Sequence, residues 1–292
     1  MTRRRRLPRL SDRLVLAGTG LRVSPVCVGM VGSPTTIAAA YEAGANFFFI
    51  TADMHWPLYE ASRRGLAKLL SAGRGVRDQV VVAVVCYTTQ PEFATMPFLE
   101  VIDAVPRLER VDVAVMGGAY AGDLPVRLGV YQEHRRQRFA GITAVGASFH
   151  DRRAAAVAVG RGEVDLAFVR YNADHPGARA DLFPRLRRRK AARVFNFSSA
   201  SGFVTHWRMA ALGLDRSYWR PRVTDHYRFA LMRPELDGLL CAPSTPREVA
   251  ELAAALESGP LKADEERYLM DLAALDRGRV SLESAGRRAP AR

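Results

Sequence analysis

Eight apolar runs recur along the chain, at positions 26–30, 46–51, 80–87, 111–118, 142–149, 164–172, 193–200 and 236–243, with amphipathic stretches between them. The runs are continuous, not alternating, as in strands of a parallel sheet covered on both faces. The intervening stretches predict helices at 35–44, 58–72, 96–108, 125–141, 151–162, 178–192 and 245–259, and one more at 261–275. Gly44 fits a helix C-terminus, and Asp151 stands where an N-cap belongs. Thr245, Pro246 and Glu248 spell a capping box with proline at the first helical position. Eight strand–helix units predict an α/β fold, a (β/α)8 TIM barrel with an extra C-terminal helix. An open doubly wound sheet is the rival, and no GxGxxG follows an early strand to support it. LVLAGTGLRVSPV, ahead of the first barrel strand, reads as an N-terminal β-hairpin turning at Gly18, Thr19 and Gly20 and plugging the barrel bottom. The expected division is a disordered basic N-terminus over 1–11, the barrel over 12–275 and a flexible tail over 276–292, with 201–224 a long loop rich in aromatics and arginine.

Composition narrows the function classes. The 292 residues are 48% hydrophobic, enough for one large core, but no apolar run is long enough for a membrane span. No stretch reads as a signal peptide, so the expected location is cytoplasmic. Cys27, Cys86 and Cys241 stand far apart in apolar runs, which predicts three buried thiols and no metal site. The net charge of +13 raises a nucleic-acid role. With only Lys68, Lys190 and Lys262 as lysines, arginine supplies the other 40 of 43 basic residues, a skew typical of GC-rich coding. The arginine runs at 3–6, 135–138 and 185–190 fall at the terminus or on predicted helix faces, and no aromatic platform interleaves them. The expected partners are therefore a small-molecule ligand and, as an alternative, a protein; a specific nucleic acid and a membrane are not expected.

Active sites of such barrels lie at the C-terminal strand ends. The tips offer Asp53 and His55, Tyr87 and Thr88, residues 117–120, Ser148 and His150, Arg170 and Asn172, residues 196–199 and residues 244–247.

Several stretches resemble one family. LAGTGLRVSPVCVGM, AYEAGANFFFITAD, GITAVGASF, VDLAFVRYN, VFNFSSASG and the APSTPREVAEL segment occur in the order and spacing of the aldo/keto reductases, across roughly 12–275. That resemblance implies an NADP(H)-dependent barrel enzyme. It also implies a proton-donating tyrosine, an aspartate–lysine pair that lowers its pKa, and a substrate-orienting histidine. A phenol of pKa ~10 is a poor acid at neutral pH without such help. Carried onto this chain, the aspartate falls on Ile50, or on Phe49 if Asn46 is the anchor. The tyrosine falls on His55, the lysine on Val85 and the histidine on Gly117. None of the four residue types is kept. The expectation is a divergent member without the catalytic set, its ion pair replaced by Ile50 packed on Val85. Losing both charges of a buried pair is far cheaper than stranding one.

The same resemblance implies cofactor contacts from Ser148, Phe197, Ser198, Ser244, Thr245 and Arg247, with Phe197 stacking on the nicotinamide and Arg247 with the helix start holding a phosphate. Phe168 replaces the family's carboxamide-binding glutamine, and that thinning tips the expectation against NADP(H).

His55, with Asp53, is the candidate catalytic group, because imidazole titrates near neutrality without a lysine; the bland reading is a loop histidine. Arg170 and Asn172 share a strand face and invite an anion, or an internal pair with Asp53 or Asp174. Trp56, Tyr87, His150 and Trp207 complete the candidate substrate contacts. Three readings follow. One is an aldo/keto reductase-like protein repurposed for a non-redox reaction on, or binding of, a small metabolite, neutral or anionic. The second is an NADP(H)-dependent oxidoreductase with His55 as donor. The third is a catalytically inactive partner or scaffold subunit. Ordinary carbonyl reduction is expected to be absent or very slow.

Overall fold

The computed structural model describes residues 6–51, 53–186, 189, 191–197, 206–214 and 218–283. Two short strands, β1 (Leu14–Val15) and β2 (Arg22–Val23), pair antiparallel ahead of the barrel. Eight parallel strands then close on themselves: β3 (Val26–Val28), β4 (Phe47–Thr51), β5 (Val81–Cys86), β6 (Val113–Ala119), β7 (Ala144–Phe149), β8 (Leu166–Arg170), β9 (Arg193–Phe197) and β10 (Gly238–Cys241), with β10 between β9 and β3. All eight coincide with the apolar runs read from the sequence.

Outside the strands lie α1 (Thr35–Glu42), α2 (Glu60–Ser71), α3 (Val76–Gln79), α4 (Met96–Ala104), α5 (Leu124–Gln137), α6 (Arg152–Arg161), α7 (Ala178–Asp181), α8 (Phe183–Leu186), α9 (His206–Ala211), α10 (Val223–Leu231), α11 (Pro246–Glu257) and α12 (Ala263–Asp276). The caps follow the sequence signals. Asp151 accepts from the Arg153 and Ala154 N–H groups, and Thr245 accepts from Glu248 N–H, while the Glu248 carboxylate takes the N–H of Ser244 and not that of Thr245, so only half of the expected capping box forms. Among the described residues, no helix is long and apolar enough to cross a membrane.

Three expectations need correction. The single helix at 178–192 is two short ones, because Pro184 has no N–H to continue the ladder. A helix, α10, occupies a stretch to which the pattern assigns no element. It buries Thr224, Asp225 and His226 beside Phe229 and Leu231, so no clean apolar stripe marks it. And within the stretch assigned to a disordered terminus, residues 6–11 pack Leu7 and Leu10 into the outer core.

Strand alternation creates two separate cores. The outer one, between strands and helices, takes Phe48, Ile50, Val82, Val84, Ala114, Ala167 and Val169. The inner one fills the barrel with Cys27, Phe47, Phe49, Val81, Ala83, Val85, Val113, Val115, Leu166, Phe168 and Phe195. Leu16 and Val23 of the hairpin join this inner set, so the hairpin closes the barrel at its bottom as expected. All three cysteines are buried and free, and burial pushes the Cys27 thiol well up.

The bottom rim repeats one bracket. The residue just before β4, β6, β8 and β10 is Asn46, Asp112, Asp165 and Asp237 in turn. Each accepts an N–H from at or near the start of the preceding strand: Ser24 at 2.7 Å, Val82 at 2.8 Å, Val145 at 2.9 Å and Val194 at 2.8 Å. Arginines neutralise the three carboxylates. Arg77 and Arg110 reach Asp112, Arg135 reaches Asp165, and Arg189 and Arg193 reach Asp237.

Candidate active site at the barrel mouth

At the opposite end the inward-facing positions continue past the inner core. Phe49 on β4 meets Phe168 of β8 edge-on at 5.3 Å and Tyr59 at 6.3 Å. Ile50 faces the outer core instead, so the expected packing of Ile50 on Val85 is not formed; the two point to opposite sides of the wall. Of the two alignments of that strand, Phe49 is the inward residue. Gly117 on β6 has the Tyr87 ring where a side chain would start: a Cβ there would lie 2.5 Å from the ring. The adjoining Gly118 has φ +60° at a register shift between β6 and β7, a conformation that favours glycine. Tyr87 thus fills the space beside Gly117.

Asp53 acts as a clasp between strand ends. Its carboxylate accepts from Thr51 Oγ1 at 2.8 Å, from His55 N–H at 3.3 Å and from Tyr87 N–H. Thr51 Oγ1 also lies 2.8 Å from Val85 O, so the clasp joins β4 to β5. The His55 ring packs on Tyr87 with centroids 4.4 Å apart, and its Nδ1 lies 3.7 Å from Asp53 Oδ1 without a hydrogen bond. His55 is a half-exposed imidazole held by an acid through its backbone, with Nδ1 buried on the Asp53 side, so that a ligand would meet the other edge of the ring.

Tyr59 was missed by sequence reading. It sits at the end of a single 3-10 turn, Trp56–Tyr59, and its ring drops back onto the inner core beside Phe49. Burial pushes its phenol strongly up, and Tyr87, Cys27 and Asp53 push the same way. Tyr87 is likewise raised by burial and then by Asp53. Both phenols therefore stay protonated and neutral. The WPLY turn carries the signal for Tyr59, but the fold must be known before its direction can be read.

Across the mouth, Arg170 ends β8 on the same face as Leu166 and Phe168. Its Cζ lies 5.5 Å from the Phe197 ring centre, and the His150 ring meets Phe197 edge-on at 5.5 Å and stacks on Tyr120 at 6.1 Å. Burial, then Arg170, holds His150 below its ordinary value. Ser148 faces inward at the end of β7.

Other expected contacts fall elsewhere. Asn172 is fully buried beyond β8, with its Oδ1 accepting from His175 N–H at 2.7 Å, so it closes a turn and does not line the mouth. The Trp56 ring lies under the Arg63 guanidinium, 3.1 Å from its Cζ, and packs on the outer core. Ser198 and the side chain of Trp207 lie outside the described residues. In the described parts of the long segment before α10, Met209, Leu214 and Trp219 pack against Tyr268 and other residues of α12.

A separate cleft of about 630 Å³ opens at the start of α11, lined in part by Arg222, Tyr227, Ser244, Glu248 and Glu251. Two of the amide donors there are engaged. Glu248 Oε2 accepts from Ser244 N–H at 2.8 Å, and Thr245 Oγ1 accepts from Glu248 N–H at 3.3 Å. Arg247 is exposed and pairs with Glu251 at 2.8 Å.

No protein-family model matches the sequence, and no curated protein matches it. Solved structures do. An aldo-keto reductase from Bacillus halodurans in its holo form superposes with a TM-score of 0.69 at 15% identity, over 94% of this chain and 99% of its own. A thermostable aldo-keto reductase solved with the inhibitor epalrestat gives 0.67 at 15% identity, over 89% and 99%. A glycerol dehydrogenase from Gluconobacter oxydans gives 0.65 at 13% identity, over 90% and 95%. At these identities the similarity shows the fold: the chain has the barrel architecture of aldo-keto reductases.

Proposed function

We propose that the barrel mouth is a non-redox site for a small metabolite, in which His55 exchanges a proton with the bound molecule and Asp53 positions it. The observation that carries this reading is the distribution of ionisable groups. The inward positions Phe49, Val85 and Gly117 hold none, while His55 and Arg170 stand at the rim on opposite sides of an aromatic floor. A hydride-transfer site of the reductase kind needs a cation to bring a phenol within reach of neutral pH. Here the environment drives both phenols the other way.

The residues do not fit NADP(H) at either end. A phosphate arriving at α11 would compete with the Glu248 carboxylate for the Ser244 N–H. The face of Phe197 offered to a nicotinamide is flanked by Arg170, which opposes the positive charge of the oxidised ring. Titration with NADPH, followed by its fluorescence, tests the reading together with carbonyl-reduction assays. The expected result is no saturable binding and no turnover, alongside a small-molecule ligand whose thermal-shift effect His55→Gln weakens. Saturable NADPH binding with turnover that His55→Gln abolishes would establish the oxidoreductase reading instead.

A second reading, a partner-dependent subunit, draws on exposed Met54, Leu58, Phe93, Met96 and Leu99 in the segments after β4 and β5. It gains support only if no ligand is found and a stable complex is recovered.

A further inference from the structure

Arg170 raises a problem of charge accounting at the mouth. Among the described residues its buried Nε has no hydrogen-bond acceptor, and no carboxylate pairs with it. The acids nearby are taken. Asp174 Oδ1 holds Arg277 Nε at 2.8 Å, and Asp181 receives Arg152 Nε at 2.7 and 2.8 Å on its two oxygens. Asp53, the other acid considered for it, is spent on the clasp between β4 and β5. The internal pair that would make Arg170 structural is therefore not formed. A buried guanidinium N–H without an acceptor is costly to keep, and an anion at the outer edge of the guanidinium would supply the countercharge that the surrounding acids do not.

The surroundings select the anion. The guanidinium stands beside the Phe197 ring, and His150 meets that ring from its edge. Phe168, two residues back on the same strand face, belongs to a floor of rings with Phe49 and Phe195. The inner core is packed solid below this floor, so a ligand lies across the mouth and not down the barrel. The planar fork of one arginine matches a carboxylate, whereas a phosphate calls for donors on several sides.

We infer that Arg170, with His150 as a second contact, clamps the carboxylate of a compact monocarboxylate whose flat apolar body rests on the partly exposed ring of Phe197, above the buried Phe168. This deepens the proposed mouth site and depends on that reading. His150 faces Arg170 on β8, Tyr120 after β6 and Phe197 on β9. The wider neighbourhood of Arg170 holds His175, Asp174, Arg152 and Arg277. A bound carboxylate offsets the repulsion between Arg170 and protonated His150, so binding and protonation of His150 favour each other.

Calorimetry on the full chain with benzoate, benzamide and inorganic phosphate tests the clamp. Benzoate is expected to bind at least about tenfold more tightly than benzamide or phosphate. Arg170→Gln should remove that preference, and Arg170→Lys should restore it only in part, because an ammonium has no fork. His150→Gln should weaken benzoate a few-fold and abolish its tighter binding at mildly acidic pH. Equal binding of benzoate and benzamide, or an unchanged preference in Arg170→Gln with a native unfolding midpoint, would overturn the clamp. Failure of benzoate while a neutral probe still binds in a His55-dependent way sinks the clamp and leaves the mouth site standing. Saturable NADPH binding with turnover sinks the mouth reading itself.

Discussion

The two ends of the barrel handle charge in opposite ways. At the bottom every bracketing carboxylate is matched: Asp112, Asp165 and Asp237 each take a strand N–H and at least one arginine. At the mouth the matching stops. Arg170 has no carboxylate among the described residues, and neither Arg170 Nε nor His55 Nδ1 has a hydrogen-bond partner. Burial together with Arg170 disfavours the charged form of His150. The bottom is an internally satisfied network that secures strand register. The mouth holds polar capacity that the chain itself does not use, which is where a barrel of this kind keeps its chemistry.

The sharpest way to break that contrast is to unbalance the bottom. Asp112→Ala leaves Val82 N–H without its acceptor and Arg77 buried without its carboxylate. It should cost about 3–5 kcal/mol of stability, read as a lowered urea midpoint at unchanged slope. A loss under about 1 kcal/mol would mean the rim is held mainly by packing.

Gly117→Ala probes the mouth from the packing side. A Cβ there meets the Tyr87 ring at 2.5 Å, so overpacking should cost about 1–3 kcal/mol. In the double variant with Tyr87→Ala the two losses should sum to less than their parts, because the clash disappears. Strict additivity in a double-mutant cycle would contradict the account of Tyr87 filling this space.

A smaller effect concerns pH. Its folded pKa lies below the unfolded value of ~6.5, so the neutral His150 contributes stability that is present above that value and lost as pH falls through the folded one. Arg170→Gln should move the His150 midpoint upward in an NMR titration and weaken this acid sensitivity. A midpoint that stays put would separate the two side chains.

Least of all should change in the stability of Arg170→Gln at neutral pH. With no carboxylate partner to strand and a buried unpaired N–H removed, the substitution is expected to leave stability unchanged or raise it by up to about 1 kcal/mol. That absence of a loss, beside the large loss at Asp112, is the contrast in its simplest form. A loss as large as that of Asp112→Ala would make Arg170 a structural residue.

The strands were legible because continuous β-branched runs between capped helices leave little choice: 80–87 and 142–149 could be placed within two residues at each end. The bottom brackets also left a trace, since Asp112, Asp165 and Asp237 each follow an apolar residue and directly precede a strand, a repeat open to anyone counting positions. The periodicity over 178–192 runs straight through Pro184, whose missing N–H divides the helix, and in α10 the buried Thr224, Asp225 and His226 interrupt the apolar stripe.

The site divides along the same line. Sequence alone determined which residue types reach the strand tips, because alternation and order along the chain are local properties: no lysine near them, His55 after β4, Arg170 closing β8. Only the tertiary structure decided which of two neighbours faces inward, Phe49 and not Ile50, and that Tyr59 turns back over the floor while Trp56 turns away. It also decided that Asp174, the acid in the neighbourhood of Arg170, is already bound to Arg277. Pairing of charges depends on distances between residues remote in sequence, and those exist only once the barrel has closed.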